Sequence, residues 1–149
     1  MKCDFEVQIA ASPEVVFRTV CDLGRLHEIL SAVTKIEVLT EGPVGSGTRF
    51  RETRLMFGKE ATEEMEFVEF DPPSGYSLLA ESHGSRYTTT YRLAARDGGT
   101  HLHMHFHAIP QTIGARILSV LFRPLMGSVK REMARDLDEL KAAVESAQG

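Results

Sequence analysis

Alternation starts at the second residue. Cys3, Phe5, Val7 and Ile9 share one parity and Lys2, Asp4, Glu6 and Gln8 the other, which predicts a strand with one buried face. Ser12-Pro13-Glu14 then supplies an N-cap, a proline at the first helical position and an acid against the positive helix end. Val15, Val16, Phe17, Val20 and Leu23 make the apolar side of this helix, and Gly24 is expected to close it in a left-handed conformation. A second short helix is predicted over 25–30. From Val33 the pattern becomes a meander of antiparallel strands, predicted over 34–40, 48–57, 60–70, 76–83, 85–95 and 100–109. Glu41-Gly42-Pro43, Gly58-Lys59, Asp71-Pro72-Pro73-Ser74-Gly75, His83-Gly84 and Asp97-Gly98-Gly99 carry the turns between them. In the strand 60–70 neither parity is uniformly apolar, because Met65 and Phe67 lie on one and Val68 and Phe70 on the other. A bulge that switches faces midway would account for both.

The last third reads differently. A helix-forming run over 111–146 would reach about 50 Å if straight, so it has to lie across the fold or bend. Pro124 and Gly127 mark the bend. Val129, Met133, Leu137, Leu140 and Val144 recur at helical spacing and form one stripe toward the sheet. Before them, Ile113, Ile117, Leu118, Val120, Leu121, Phe122, Leu125 and Met126 surround the helix on most sides, and such a helix needs more than one apolar neighbour. The sheet can be one. A bound lipophilic ligand, a second subunit in a homodimer or a membrane surface can be the other, favoured in that order. Arg116, Arg123, Lys130 and Arg131 keep the membrane in consideration through attraction to anionic lipid. One helix on a curved sheet touches it incompletely, and the cavity left between them is where function is expected.

A length of 149 residues with no linker or repeat suits a single domain over 1–149. Hydrophobic content of 42% with 26% charged residues is that of a globular chain, and no apolar run approaches a membrane span. The first five residues lack the apolar core of a signal peptide, so a cytoplasmic location is expected. Cys3 and Cys21 are isolated and read as buried thiols. A formal charge of -4 with dispersed basic residues gives no reason to expect nucleic acid.

The order strand, two short helices, six strands, long helix resembles the helix-grip fold of the START-related, polyketide cyclase and birch-pollen-allergen superfamily, often called SRPBCC. The likeness covers nearly the whole chain. It rests on Ala11-Ser12-Pro13-Glu14-Val15-Val16-Phe17 opening the first helix, Gly42-Pro43-Val44-Gly45-Ser46-Gly47-Thr48-Arg49-Phe50 at the second hairpin, Asp71-Pro72-Pro73, and Asp97-Gly98-Gly99-Thr100 before the last strand. It implies an α+β fold in which a seven-stranded curved antiparallel sheet wraps a long C-terminal helix. It leaves activity open, since the superfamily includes ligand carriers, cyclases, hydroxylase subunits and hormone receptors. Bacterial cyclase-like members often carry tryptophans in the second helix, where this chain has Arg25-Leu26-His27-Glu28-Ile29-Leu30.

Candidate chemistry follows from strand parity. Phe50, Glu52, Arg54 and Met56 share a face, as do Tyr87, Thr89, Tyr91 and Leu93. An inward Glu52 and Arg54 would need each other or water, because desolvating an unpaired charge is costly. Two placements are open: solvent at a bulge or rim, which is favoured, or a pocket in which the pair orients a ligand's polar end. Tyr87 and Tyr91 join an apolar ring to a hydroxyl and suit an amphipathic ligand as well as ordinary packing. His101, His103, His105 and His107 alternate with Leu102, Met104 and Phe106, which puts the imidazoles on the outer face, too far apart to share one ion readily. No nucleophile elbow, phosphate loop, zinc-protease helix or dinucleotide fingerprint is present. No cofactor or metal is expected. The expected function is binding of a small hydrophobic or amphipathic molecule, lipid or polyketide-like. Phe50, Glu52, Arg54, Tyr87, Tyr91, Met104, Phe106, Leu121, Leu125 and Val129 are the candidate lining. A cyclase or dehydratase working in the same cavity is the alternative.

Overall fold

A computed structural model describes residues 1–148. Seven strands form one antiparallel sheet in the order β1-β7-β6-β5-β4-β3-β2. They are β1 (Lys2–Ile9), β2 (Val33–Val38), β3 (Arg49–Met56), β4 (Lys59–Asp71), β5 (Gly75–Ser82), β6 (Ser85–Arg96) and β7 (Gly99–Pro110). Helices α1 (Pro13–Val20) and α2 (Leu26–Ile29) lie between β1 and β2. The cap expected at Ser12 is made, its hydroxyl accepting from the Val15 amide at 3.4 Å. Gly24 does not end α1: the helix stops at Val20 with Cys21 as its C-cap, and the following turns are closed by backbone bonds such as Leu23 N to Cys21 O.

The C-terminal run is three pieces. α3 (Ile113–Leu121) is followed by a tight 3-10 turn, Arg123–Leu125, and then by α4 (Met126–Gln148). Pro124 sits inside the turn, where its missing donor costs nothing, whereas Gly127 lies within α4 and causes no break. The bulge in β4 is also real. Register shifts between Phe67 and Glu69, which leaves Val68 at the surface and returns Phe70 to the inner face.

Register sets one face of the sheet. Phe5, Met104, Tyr91 and Tyr76 are cross-strand neighbours in one row, and Val7, Leu102 and Leu93 in another. Leu137, Leu140 and Val144 of α4 drop into this face at 3%, 4% and 1% exposure, joining Ile9, Val16, Phe17, Phe50 and Phe67 in one apolar core. Burying each such side chain contributes about 1.5–3 kcal/mol. Polar contacts fix the same half of α4. Lys141 Nζ donates to Gln8 O at 2.7 Å, and Glu145 and Glu139 accept from the backbone amides of Ala10 and Ser31 at 2.8 and 3.1 Å. Cys3 and Cys21 are both buried free thiols, and the apolar surroundings push Cys21 up to about 12.

Candidate functional site

α4 grips only one end of the sheet. There Ile9, Thr100 and Leu102 are fully buried and Leu93 and Tyr76 nearly so. Toward the β5–β6 turn the inward residues lose cover: Tyr87 and Thr89 on β6, Phe106 on β7, Leu78 on β5, and Met65 and Glu63 on β4 are half-buried, as are Val129 and Met133 on the facing part of α4. The result is a half-covered region between sheet and helix, packed at one end and only partly buried at the other. Tyr87 stacks on Phe106 at 6.0 Å within it, and Tyr91 stacks on Tyr76 at 4.6 Å at its inner limit.

The polar lining is charged. Glu52 and Arg54 point inward at 12% and 18% side-chain exposure, which overturns the solvated reading of this pair. Arg54 Nε donates to Glu52 Oε1 at 2.8 Å, and Arg54 Nη2 meets Asp136 Oδ2 of α4 at 2.9 Å. Register sets Glu63 directly opposite Glu52, an unfavourable like-charge pair with one cation nearby. Among the described residues Asp136 Oδ1 is buried with no hydrogen-bond partner.

Burial, with the Glu52 carboxylate second, raises Glu63 above the ordinary carboxylate value, against opposing pulls from Arg54 and His83. Asp136 is also raised, since burial outweighs the pull of Arg54. Burial works to lower Arg54, but Glu52 and Asp136 outweigh it and hold the guanidinium charged. The Tyr91 phenol is driven up by burial and then by Asp136 and Glu52, so it stays a neutral donor. This arrangement can hold a polar group by charge-assisted hydrogen bonds while the tyrosine and phenylalanine rings take an apolar body.

The ten residues read from the sequence separate into three groups. Glu52, Arg54, Tyr87, Tyr91, Phe106 and Val129 are all partly buried in the half-covered region. Phe50 and Met104, at 2% and 4% exposure, are bricks of the packed core behind it. Leu121 and Leu125 are 67% and 40% exposed. Leu121 instead lines an open apolar recess of about 380 Å³ with Ile113, Arg116, Ile117 and Val120. Asp136 and Glu63 were missed. Their signals were present: Asp136 falls on the α4 stripe, three after Met133 and four before Leu140, and Glu63 shares parity with Met65 and Phe67.

The histidines project from the outer face, as their alternation predicts. Asp4 Oδ1 sits 2.9 Å from His103 Nε2 and 2.8 Å from His105 Nδ1, and the His105 hydrogen bond chiefly holds Asp4 below its ordinary value. Among the described residues no three of His, Cys, Asp and Glu gather as a metal centre.

Residues 2–145 match the profile of the family described as polyketide cyclase / dehydrase and lipid transport. The chain belongs to that family. No curated protein matches it in sequence. Among solved structures, TTHA0849 from Thermus thermophilus is similar over 100% of both chains, at 24% identity and a TM-score of 0.78. Ara h 8.0201 is similar over 98% of both, at 17% identity and 0.77. The di-domain ARO/CYC protein StfQ of the steffimycin biosynthetic pathway is similar at 14% identity and 0.80, over 99% of this chain and 52% of that one. These likenesses establish the helix-grip fold of the superfamily. The family supports a ligand-binding or cyclase role in general.

Proposed function

We propose that this family member binds a small hydrophobic or amphipathic molecule in the cleft between the sheet and the first half of α4. One observation carries the reading: the Glu52–Arg54–Asp136 cluster lies inside, at the point where apolar packing between sheet and helix gives way. A polar head would meet Arg54, Asp136 and the Tyr91 hydroxyl. The body would lie against Leu78, Tyr87, Thr89 and Phe106. Apolar burial drives binding at roughly 25 cal/mol per Å², less the cost of ordering the guest.

Thr89 is half-buried on the inner face between Leu78 and Phe106 in register, so Thr89→Trp fills the cleft without touching the packed end. Native mass spectrometry of protein from its own host is expected to show a retained small molecule in the parent chain and none in Thr89→Trp. The same adduct in both would remove the cleft as its site.

The cyclase or dehydratase reading is favoured by a single feature, the raised Glu63 and Asp136 carboxyls beside a charged guanidinium and a neutral phenol. Such a set can move a proton and polarise a carbonyl.

A further inference from the structure

The segment 111–131 is unlike the rest of the chain. Ile113, Ile117, Val120 and Leu121 are 78%, 57%, 55% and 67% exposed on one side of α3, and Leu118 and Phe122 are 45% and 49% exposed beside them. A protein groove covers one stripe of a helix. Here exposed apolar side chains spread over an arc broader than one groove would bury, as suits a helix lying against an apolar medium. The same segment carries Arg116, Arg123, Lys130 and Arg131 and no carboxylate, in a chain of net charge -4. The acids next along α4 are engaged elsewhere, Glu132 with Arg135 and Asp136 with Arg54.

Placement adds to the composition. Gly84, at the β5–β6 turn, packs against Thr112 and Ala115, which seats α3 at the open end of the sheet. By strand register the β3–β4 turn falls at that end too, and it presents Phe57 at 60% exposure. A second copy is a poor occupant, because two-fold pairing of this patch brings a surface with cations and no carboxylate against an identical one. An anionic lipid surface answers both the apolar area and the charge. No helix among the described residues is long and apolar enough to cross a membrane, and the contact in question is with the membrane surface.

We propose that α3 and the turn after it dock the protein on anionic lipid bilayers. Ile113, Ile117, Val120 and Leu121 enter the boundary between headgroups and acyl chains, and Arg116, Arg123, Lys130 and Arg131 lie against lipid phosphates. Docking stands or falls independently of the ligand reading, since the surface is complete without an occupied cleft.

Vesicle flotation tests it, with phosphatidylcholine alone and with about one-third of the lipid replaced by phosphatidylserine. The protein should float with the anionic vesicles only and be released by added salt. Arg116→Gln and Arg123→Gln should each weaken recovery about fivefold, and Leu121→Asp should abolish it while circular dichroism stays unchanged. Arg25→Gln, an exposed cation on the other connection, should float like the parent. The proposal is overturned by absence from anionic vesicles, by equal and salt-insensitive recovery with both kinds, or by equal loss in Arg25→Gln. It is overturned as well if Leu121→Asp floats normally, or if Leu121→Asp dissolves a dimer that does not float.

Discussion

Two carboxylates hold one guanidinium inside this protein and a third, Glu63, lies opposite Glu52, and that imbalance makes stability depend on pH. Glu63 and Asp136 are raised in the folded state, so folding retains protons that the unfolded chain releases. Stability therefore falls as pH rises from the ordinary carboxylate value through the raised ones, and stays lower above them. Glu63→Gln should flatten that decline and raise stability at neutral pH. Arg54→Met should do the reverse, costing about 3 kcal/mol at neutral pH by leaving buried carboxylates unpaired, with part of the loss recovered in mild acid. Urea unfolding at several pH values checks both; a parallel pH profile for all three proteins would contradict the account. Strand parity alone turned Glu52 and Arg54 inward, but the cost of burying them favoured the surface. What reversed that balance was Asp136, far along the chain on the last helix, and no local pattern couples it to Arg54.

Among the elements, the boundary between α3 and α4 divides the C-terminal run into parts with opposite roles. In sequence the first half is apolar on most sides and the second only along one stripe, and tertiary contact shows that it is the second that the sheet covers. α4 belongs to the core: Leu137 is 3% exposed, and Leu137→Ala should cost about 2–5 kcal/mol through the cavity it leaves. α3 does not. Ile117, at 57% exposure, is expected to tolerate Ser with a change within about 0.5 kcal/mol. Denaturant midpoints for the two variants measure the contrast, and similar losses would mean that α3 is covered in solution. The break itself was readable at Pro124. Gly127 was not a second hinge, because a glycine within a helix weakens it by only about 1 kcal/mol and does not by itself interrupt it.

At the scale of the whole molecule, the strand and turn signals were enough to give the order of elements, because cap, turn and alternation chemistry is local and each piece agreed with the next, and it was the resemblance of that order to a known family that implied the helix-grip fold. Where the helix presses on the sheet and where it lifts away was not legible, since that depends on side chains meeting across long separations. Phe50 and Met104 share parity with cleft residues yet stand where the core is filled. The central claim is that the lifted end admits a guest. Amide chemical-shift mapping with N-phenylnaphthylamine as a neutral probe tests it most directly. Perturbations should centre on Leu78, Tyr87, Thr89, Tyr91, Phe106, Val129 and Met133. Shifts confined to the exposed face of α3, from Ile113 to Leu121, with the cleft residues silent, would contradict it.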